Sequence, residues 1–151
     1  MKIDAATLRW RVVLEDYVSV LEVAPNSVQA VAGSLAGDVV LLSTSDGSSE
    51  ALHPHDMGAL SAAWSSDGRR LAVGGQDGVV RLYSEEGSPI EVIQVSGWVT
   101  ALAWSPAETM LAIGAGRSLK VVNEDGLELH DFDEQISTVT DVAWSSDGTR
   151  V

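Results

Sequence analysis

The 151-residue chain contains no cysteine, so disulfide bonds and thiolate-bound metals are excluded. It also has few cations, with nine Lys and Arg against 22 Asp and Glu, which gives a formal net charge of −13. No Lys or Arg occurs from Val12 to Gly68. Such a surface repels phosphate groups, so neither nucleic acid nor an anionic membrane is expected as a direct partner.

Long apolar runs are absent as well. No run approaches the length that spans a membrane, and residues 1–18 lack the apolar centre of a secretion signal. We therefore expect a soluble, cytoplasmic protein. Its hydrophobic content of 45% and charged content of 21% are typical of a globular domain with a real core. Aromatic residues are scarce, but five Trp stand against two Tyr and one Phe, an imbalance that needs an explanation.

Three of the tryptophans belong to a sequence repeat. Trp64, Trp104 and Trp144 follow one another at intervals of 40 residues. The segment AWSSDGRRL around Trp64 recurs as AWSSDGTRV around Trp144 and, more divergently, as AWSPAETML around Trp104. A weaker copy begins at Val23. Because the three tryptophans share one position of the repeat, we predict that they pack in the core.

Each complete repeat contains four short apolar or alternating runs, separated by turns rich in Gly, Asp and Ser. The inner runs are apolar on both faces, so a sheet built from them must be covered on both sides by its neighbours. We therefore predict an all-β protein of β-propeller blades with four antiparallel strands, about three and a half blades in all. The predicted segments are an outer strand, three repeats and the start of a fourth: 7–14, 15–54, 55–94, 95–134 and 135–151.

Three and a half blades cannot close a ring, because propellers have about four to eight blades. We expect the chain to be a fragment of a longer protein, and a subunit that assembles into a ring is the alternative. Expressed alone, such an arc would expose apolar blade faces and unpaired edges, which favours self-association.

The turns and strands of the repeat resemble those of the WD-repeat (WD40) β-propeller family. The segment WSSDG after Trp64 is similar to the family's turn after the innermost strand, and QDGVVRLY at 76–83 is similar to its third strand. The resemblance covers nearly the whole chain. The eponymous Trp-Asp pair is missing, since Tyr83-Ser84 stands in its place. The chain is therefore identified as a divergent member of the family or a fragment of one.

The resemblance also implies a stabilising hydrogen-bond network within each blade. In the second repeat His55 and Asp77 match its first two positions, but Val73 stands where a hydroxyl is expected and Tyr83 replaces the tryptophan. The other repeats have Leu14 and Val95 at the position of the histidine. Structural roles are therefore predicted for five residues: His55, Asp77, Trp64, Trp104 and Trp144.

The family resemblance implies a protein-protein interaction scaffold and no enzymatic activity. In WD-repeat proteins, the loops between blades commonly bind protein or peptide partners. The residues that stand six positions before the end of each innermost strand are Tyr17, Gly58, Trp98 and Thr138. Two of these are large aromatics, which often anchor interfaces. We predict a binding rim that contains Tyr17, His55, Asp56, Gln76, Trp98, Arg117, Glu134 and Thr138.

Other chemistry finds little support in the sequence. Residues 53–56, His-Pro-His-Asp, contain two possible zinc ligands, but no third ligand has convincing spacing. We therefore expect neither a metal nor a cofactor. The alternative function is that of a propeller enzyme or ligand-binding sensor whose active centre lies in missing blades.

Overall fold

The computed structural model of the chain describes residues 8–132 and 134–151. In these residues the chain forms twelve strands and no helix. No helix in this part of the chain therefore has the length and apolar character to cross a membrane. The strands form three sheets of four antiparallel strands, each in chain order. The predicted fold class, incomplete propeller blades of four antiparallel strands, is confirmed.

We call the three sheets blades 1, 2 and 3. Blade 1 contains β1 (Val18–Val23), β2 (Gln29–Ser34), β3 (Val39–Ser43) and β4 (Ser49–Ala51). Blade 2 contains β5 (Ala59–Trp64), β6 (Arg70–Gly75), β7 (Val79–Ser84) and β8 (Pro89–Gln94). Blade 3 contains β9 (Val99–Trp104), β10 (Met110–Ala115), β11 (Ser118–Asn123) and β12 (Glu128–Asp131).

The turn between the first two strands of blade 2 shows why the repeated WSSDG segment ends a strand. The Ser65 hydroxyl donates to Asp67 Oδ1 at 2.7 Å, and the backbone N–H of Arg69 donates to the same oxygen at 3.0 Å. Gly68 follows with a φ of 73°, which a glycine adopts without steric cost. The hydroxyl and the backbone N–H hold the pKa of Asp67 below its usual value. This local network reverses the chain tightly and sets the register of the hairpin.

Each blade is apolar on both faces, as the inner runs predicted. In blade 2 the side chains that face blade 1 are Leu71, Val73 and Tyr83. The side chains that face blade 3 are Ala72, Val80 and Leu82. All six are almost completely buried. Because neighbouring residues of a strand point to opposite faces, one blade contributes to two separate cores.

A glycine in the second strand of each blade allows the next blade to approach. A Cβ placed on Gly74 would lie only 2.3 Å from Cγ1 of Val99, the first residue of β9. The repeat places two further pairs in the same arrangement, so that the full set is Gly33–Ala59, Gly74–Val99 and Gly114–Val139. A side chain at the glycine position would push the two blades apart.

The backbone carbonyls of Ala59, Val99 and Val139 also accept hydrogen bonds from the preceding blade. The donors are hydroxyls of the innermost strands, and the pairs are Ser19–Ala59 (2.5 Å), Ser61–Val99 (2.9 Å) and Thr100–Val139 (2.7 Å). In each pair the side-chain oxygen donates to the backbone carbonyl. The blades are thus joined at one end of the innermost strands by both packing and hydrogen bonding.

The repeated tryptophans join the blades at the other end of these strands. Nε1 of Trp104 donates to the carbonyl of Ala63 at 3.1 Å, and Nε1 of Trp144 donates to the carbonyl of Ala103 at 2.9 Å. Nε1 of Trp64 is buried and has no partner among the described residues. Trp104 and Trp144 therefore fill space and also link each innermost segment to the innermost strand of the preceding blade.

The predicted outer strand at 7–14 differs from what the structure shows. Its described part, 8–14, forms no strand. Trp10 Nε1 donates to the carbonyl of Thr44 at 3.1 Å, and Val12 and Leu14 pack on the face of blade 1 that points away from blade 2. The apolar residues that suggested a strand are therefore used to cover a sheet. Thr7, and Asp133 in the predicted third repeat, lie outside the described residues.

Residues 135–151 form no strand either, although they occupy the position of an innermost segment. The backbone N–H of Val139 donates to the carbonyl of Gly116 at 2.7 Å. The Val139 side chain lies against Gly114, and Trp144 bonds to β9. This segment therefore contacts blade 3 through the same contacts that join blades 1, 2 and 3.

We expect Trp104→Phe to lower the free energy of unfolding by about 1–2 kcal/mol, because it removes the hydrogen bond to Ala63 and shrinks a side chain that is only 8% exposed. Urea unfolding followed by circular dichroism measures the change. Trp98→Phe is the matched control, since Trp98 is 56% exposed and should tolerate the change within about 0.5 kcal/mol. Equal losses in the two variants would contradict the assigned role.

Candidate functional site

Tyr17, Gly58 and Trp98, which stand just before the innermost strands, occupy equivalent positions at one edge of the three blades. Each one uses its backbone carbonyl to accept a hydrogen bond from the turn between the second and third strands of its own blade. The pairs are Leu35 N to Tyr17 O (3.0 Å), Gln76 N to Gly58 O (2.9 Å) and Gly116 N to Trp98 O (3.2 Å). The backbone at the entrance of each innermost strand is therefore held in place, and side chains attached there start from a fixed position.

The two rim aromatics are exposed. Tyr17 has 79% of its surface accessible and Trp98 has 56%, whereas the core tryptophan Trp104 is almost fully covered. Thr138, the equivalent residue before the fourth innermost segment, is also exposed. The side chains of all three residues are therefore accessible on the surface.

Gly58, the equivalent residue of blade 2, is a glycine for a steric reason. A Cβ on this residue would lie 3.0 Å from the carbonyl oxygen of Leu35 and 3.2 Å from its Cα. These are backbone atoms of blade 1 and cannot rotate away. Blade 2 therefore has no side chain at the rim position, and the turn of blade 1 occupies the space.

His55 and Asp77 form a buried pair beneath the rim. Nδ1 of His55 lies 3.0 Å from both carboxylate oxygens of Asp77. The backbone N–H groups of Asp56 and Val79 donate to the same carboxylate at 3.1 and 3.2 Å. A Cβ on Gly75 would lie 2.4 Å from His55 Nδ1, so this glycine makes room for the ring. The pair ties the loop that enters blade 2 to the turn after β6.

The pKa values of His55 and Asp77 are both lowered, but for different reasons. Burial lowers the pKa of His55 below 6.5, although the hydrogen bond and the charge of Asp77 act in the opposite direction. Burial alone would raise the pKa of Asp77, but the hydrogen bond and charge of His55 bring it below 3.8. At neutral pH the pair therefore consists of a neutral imidazole that donates from Nδ1 and an ionised carboxylate.

The other ring nitrogen of His55 is unsatisfied. Nε2 is buried and has no hydrogen-bond partner among the described residues. The apolar Val73 stands where the family resemblance implies a hydroxyl. The Tyr83 hydroxyl donates instead to the carbonyl of His53 at 3.2 Å. The polar network of blade 2 thus ends at His55. Val73 and Tyr83, which stand at its two other positions, contribute to the apolar core instead.

The other predicted binding residues are distributed between blades 2 and 3. Asp56 is exposed and Gln76 is half-buried, and both lie beside the His55–Asp77 pair. Arg117 lies on the turn of blade 3, where its guanidinium is 3.4 Å from a carboxylate oxygen of Glu134. Its Nε donates to the carbonyl of Gln135 at 2.7 Å. Arg117 and Glu134 therefore form an exposed ion pair on blade 3, where Arg117 follows Gly116, whose backbone bonds to Trp98.

A cleft of about 600 Å³ lies near this edge, between the end of β8 and strands β11 and β12. Its one lysine, Lys120, is held by Glu128 at 2.7 Å and by Asp131 at 2.9 Å, so it offers no free cation to a ligand. Among residues 8–132 and 134–151, no group of three metal-ligating side chains is arranged to hold a metal ion.

Two exposed apolar residues beside Tyr17 escaped the sequence reasoning. Leu35 is 46% exposed and Met57 is 50% exposed, and both lie on the rim. Leu35 follows the end of β2, and Met57 precedes Gly58, so both occupy turn positions next to strand ends. An apolar residue in a turn that otherwise favours Gly, Asn or Asp is the signal that identifies them.

Comparison with known proteins agrees with this architecture. The model of the family "WD domain, G-beta repeat" matches residues 48–84 and 87–123. The chain belongs to the WD-repeat family. Each match extends from the outer strand of one blade through the third strand of the next, so one WD repeat links two blades. Proteins of this family are generally non-enzymatic scaffolds that bind protein partners.

The solved structure titled "Structure of U3-55K" has a similar fold. The TM-score is 0.79 and the sequence identity is 18% over 85% of this WD-repeat chain. At this identity the likeness shows the fold alone. The chain spans 42% of the length of the solved structure that it matches.

We expect the stability of the protein to fall as the pH decreases from 7 to 5.5, because the buried His55 resists protonation while the unfolded chain accepts the proton. This contribution of His55 is fully present above the ordinary histidine value of 6.5 and decreases as the pH falls below it toward the lowered pKa of the folded state. Thermal unfolding across this pH range measures the effect.

The exposed His53 provides the matched control for this titration. His55→Gln should flatten the pH dependence between 7 and 5.5, whereas His53→Gln should leave it unchanged, since only the backbone carbonyl of His53 is used by Tyr83. A pH dependence that survives in His55→Gln would show that another group is responsible.

Proposed function

We propose that this chain is part of a protein-protein interaction scaffold that binds protein or peptide partners through the rim. The observation that carries the proposal is the exposure of Tyr17 and Trp98 at equivalent positions of two blades. Both side chains extend from backbone that is held by hydrogen bonds to the neighbouring turns. Aromatic side chains on a fixed backbone lose little freedom on binding, which favours their use as interface anchors.

The polarity of the surroundings supports a protein partner. Exposed Asp56, half-buried Gln76 and the Arg117–Glu134 pair place hydrogen-bonding groups of both kinds around the aromatics. An apolar anchor with a polar surround is the usual composition of a protein interface. The net charge of −13 disfavours nucleic acid as the direct ligand. We infer a binding role without catalysis.

The double variant Tyr17→Ala, Trp98→Ala should weaken partner binding by at least about 30-fold, because the loss of one interface anchor alone typically costs about 2 kcal/mol. Quantitative pull-down from cell extract, with proteins identified by mass spectrometry, measures the recovery. The control is Leu127→Ala, which truncates an exposed apolar residue in the turn before β12, away from the rim. Unchanged recovery with the rim variant would contradict the proposal.

A further inference from the structure

Three residues with exposed apolar side chains have neighbouring backbones where blade 1 meets blade 2. Leu35 N donates to the carbonyl of Tyr17, so these two residues are in direct contact. A Cβ placed on Gly58 would touch the backbone of Leu35. Met57 immediately precedes Gly58, so its backbone lies close to that of Leu35 as well. A Cβ on Gly37 would lie 3.0 Å from the Met57 carbonyl oxygen. We call the surface formed by Tyr17, Leu35 and Met57 the blade 1–2 patch.

Three aspartates stand within a few residues of the members of the blade 1–2 patch in the sequence. Asp16 precedes Tyr17, Asp56 precedes Met57, and Asp38 follows the turn that carries Leu35. Asp16 and Asp56 are exposed, and Asp38 is half-buried. Among the described residues none of these three carboxylates forms an ion pair. The charge of Arg81, which is half-buried on β7, helps to lower the pKa of His55. Arg81 forms no ion pair with any of the three carboxylates among the described residues.

The charge is different on the blade 3 turn whose backbone bonds to Trp98. There the guanidinium of Arg117 lies 3.4 Å from Glu134, so the nearby cation and carboxylate cancel. The segment 12–68, which contains the whole blade 1–2 patch, has no Lys or Arg. The rim residues within 12–68 therefore have no Lys or Arg among them, whereas the blade 3 side of the rim has a cation paired with a carboxylate.

We propose that the blade 1–2 patch binds a short cationic segment of a protein partner, with an aliphatic or aromatic side chain on Tyr17, Leu35 and Met57. Lys or Arg side chains on either side of that residue pair with Asp16, Asp38 and Asp56. This inference rests on the proposed function of the rim and names the chemistry of the partner. The negative potential accelerates the encounter with a cationic segment, and the apolar contact retains it.

Four fluorescein-labelled peptides of equal length test the proposal. One alternates Lys with Leu, and in the other three the Lys residues become Glu, the Lys residues become Ser, or the Leu residues become Ser. Binding to the 151-residue chain is measured by fluorescence anisotropy. We expect the Lys–Leu peptide to bind at least about tenfold more tightly than the others, and to weaken at least about threefold between roughly 50 and 300 mM NaCl.

Variants then locate the binding site. Asp16→Asn, Asp56→Asn should weaken the Lys–Leu peptide about 3- to 10-fold, since each exposed ion pair changes binding by about 1.5- to 5-fold. Tyr17→Ala should weaken it about tenfold. The matched control for charge is Glu85→Gln, Glu86→Gln, which removes two exposed carboxylates in the turn after β7 and should change binding by less than about twofold. Circular dichroism confirms that each variant is folded.

The possible outcomes separate this inference from the proposed function. Equal binding of the Glu–Leu or Ser–Leu peptide, or equal weakening by the control variant, would overturn the cationic assignment. Equal weakening by Trp98→Ala and Tyr17→Ala would overturn the choice of the blade 1–2 patch while supporting the rim as a binding surface. If no peptide binds, the inference is wrong, and the pull-down with the double rim variant still decides the proposed function.

Discussion

The contact between a second-strand glycine and the first residue of the next innermost strand is the constraint on which this structure depends. Gly74 has no room for a side chain because Val99 occupies that space, and the Val99 carbonyl accepts a hydrogen bond from Ser61. The pairs on either side repeat this arrangement. A blade that is apolar on both faces is stable only when a neighbour covers each face, so this close approach is what turns separate sheets into an arc.

The same constraint positions the candidate binding surface. Trp98 immediately precedes Val99, and Gly58 immediately precedes Ala59, so each rim residue is attached to a residue that is fixed between two blades. Tyr17 differs, because the residue that follows it, Val18, is 57% exposed, and the backbone of Tyr17 is held by the hydrogen bond from Leu35 N instead. The Trp98 side chain is therefore displayed beside a tightly packed contact between two blades. Rigid display reduces the entropy lost on binding, and this links the packing of the blades to the proposed function.

The sequence was sufficient for the architecture and insufficient for the surface. The 40-residue period and the turn around Asp67 predict four-stranded blades, because both depend on local chemistry that recurs. The apolar residues at 8–14 suggested an outer strand, but they cover the face of blade 1 instead, since alternation does not distinguish a paired strand from a covering segment. The exposure of Leu35 and Met57 depends on contacts between blades, which no single repeat encodes.

A double-mutant cycle at Gly74 and Val99 tests the central claim most directly. Gly74→Ala alone should lower the free energy of unfolding by about 2 kcal/mol or more, because its Cβ collides with Val99. Val99→Ala removes the nearest colliding atom, Cγ1, and leaves only the longer contacts of 2.7 Å with Cβ of residue 99 and Oγ of Ser61. The two losses together should therefore be about 1 kcal/mol smaller than their sum. Urea unfolding of the four proteins measures this coupling. Additive losses would show that the glycine does not set the distance between blades and would contradict the account.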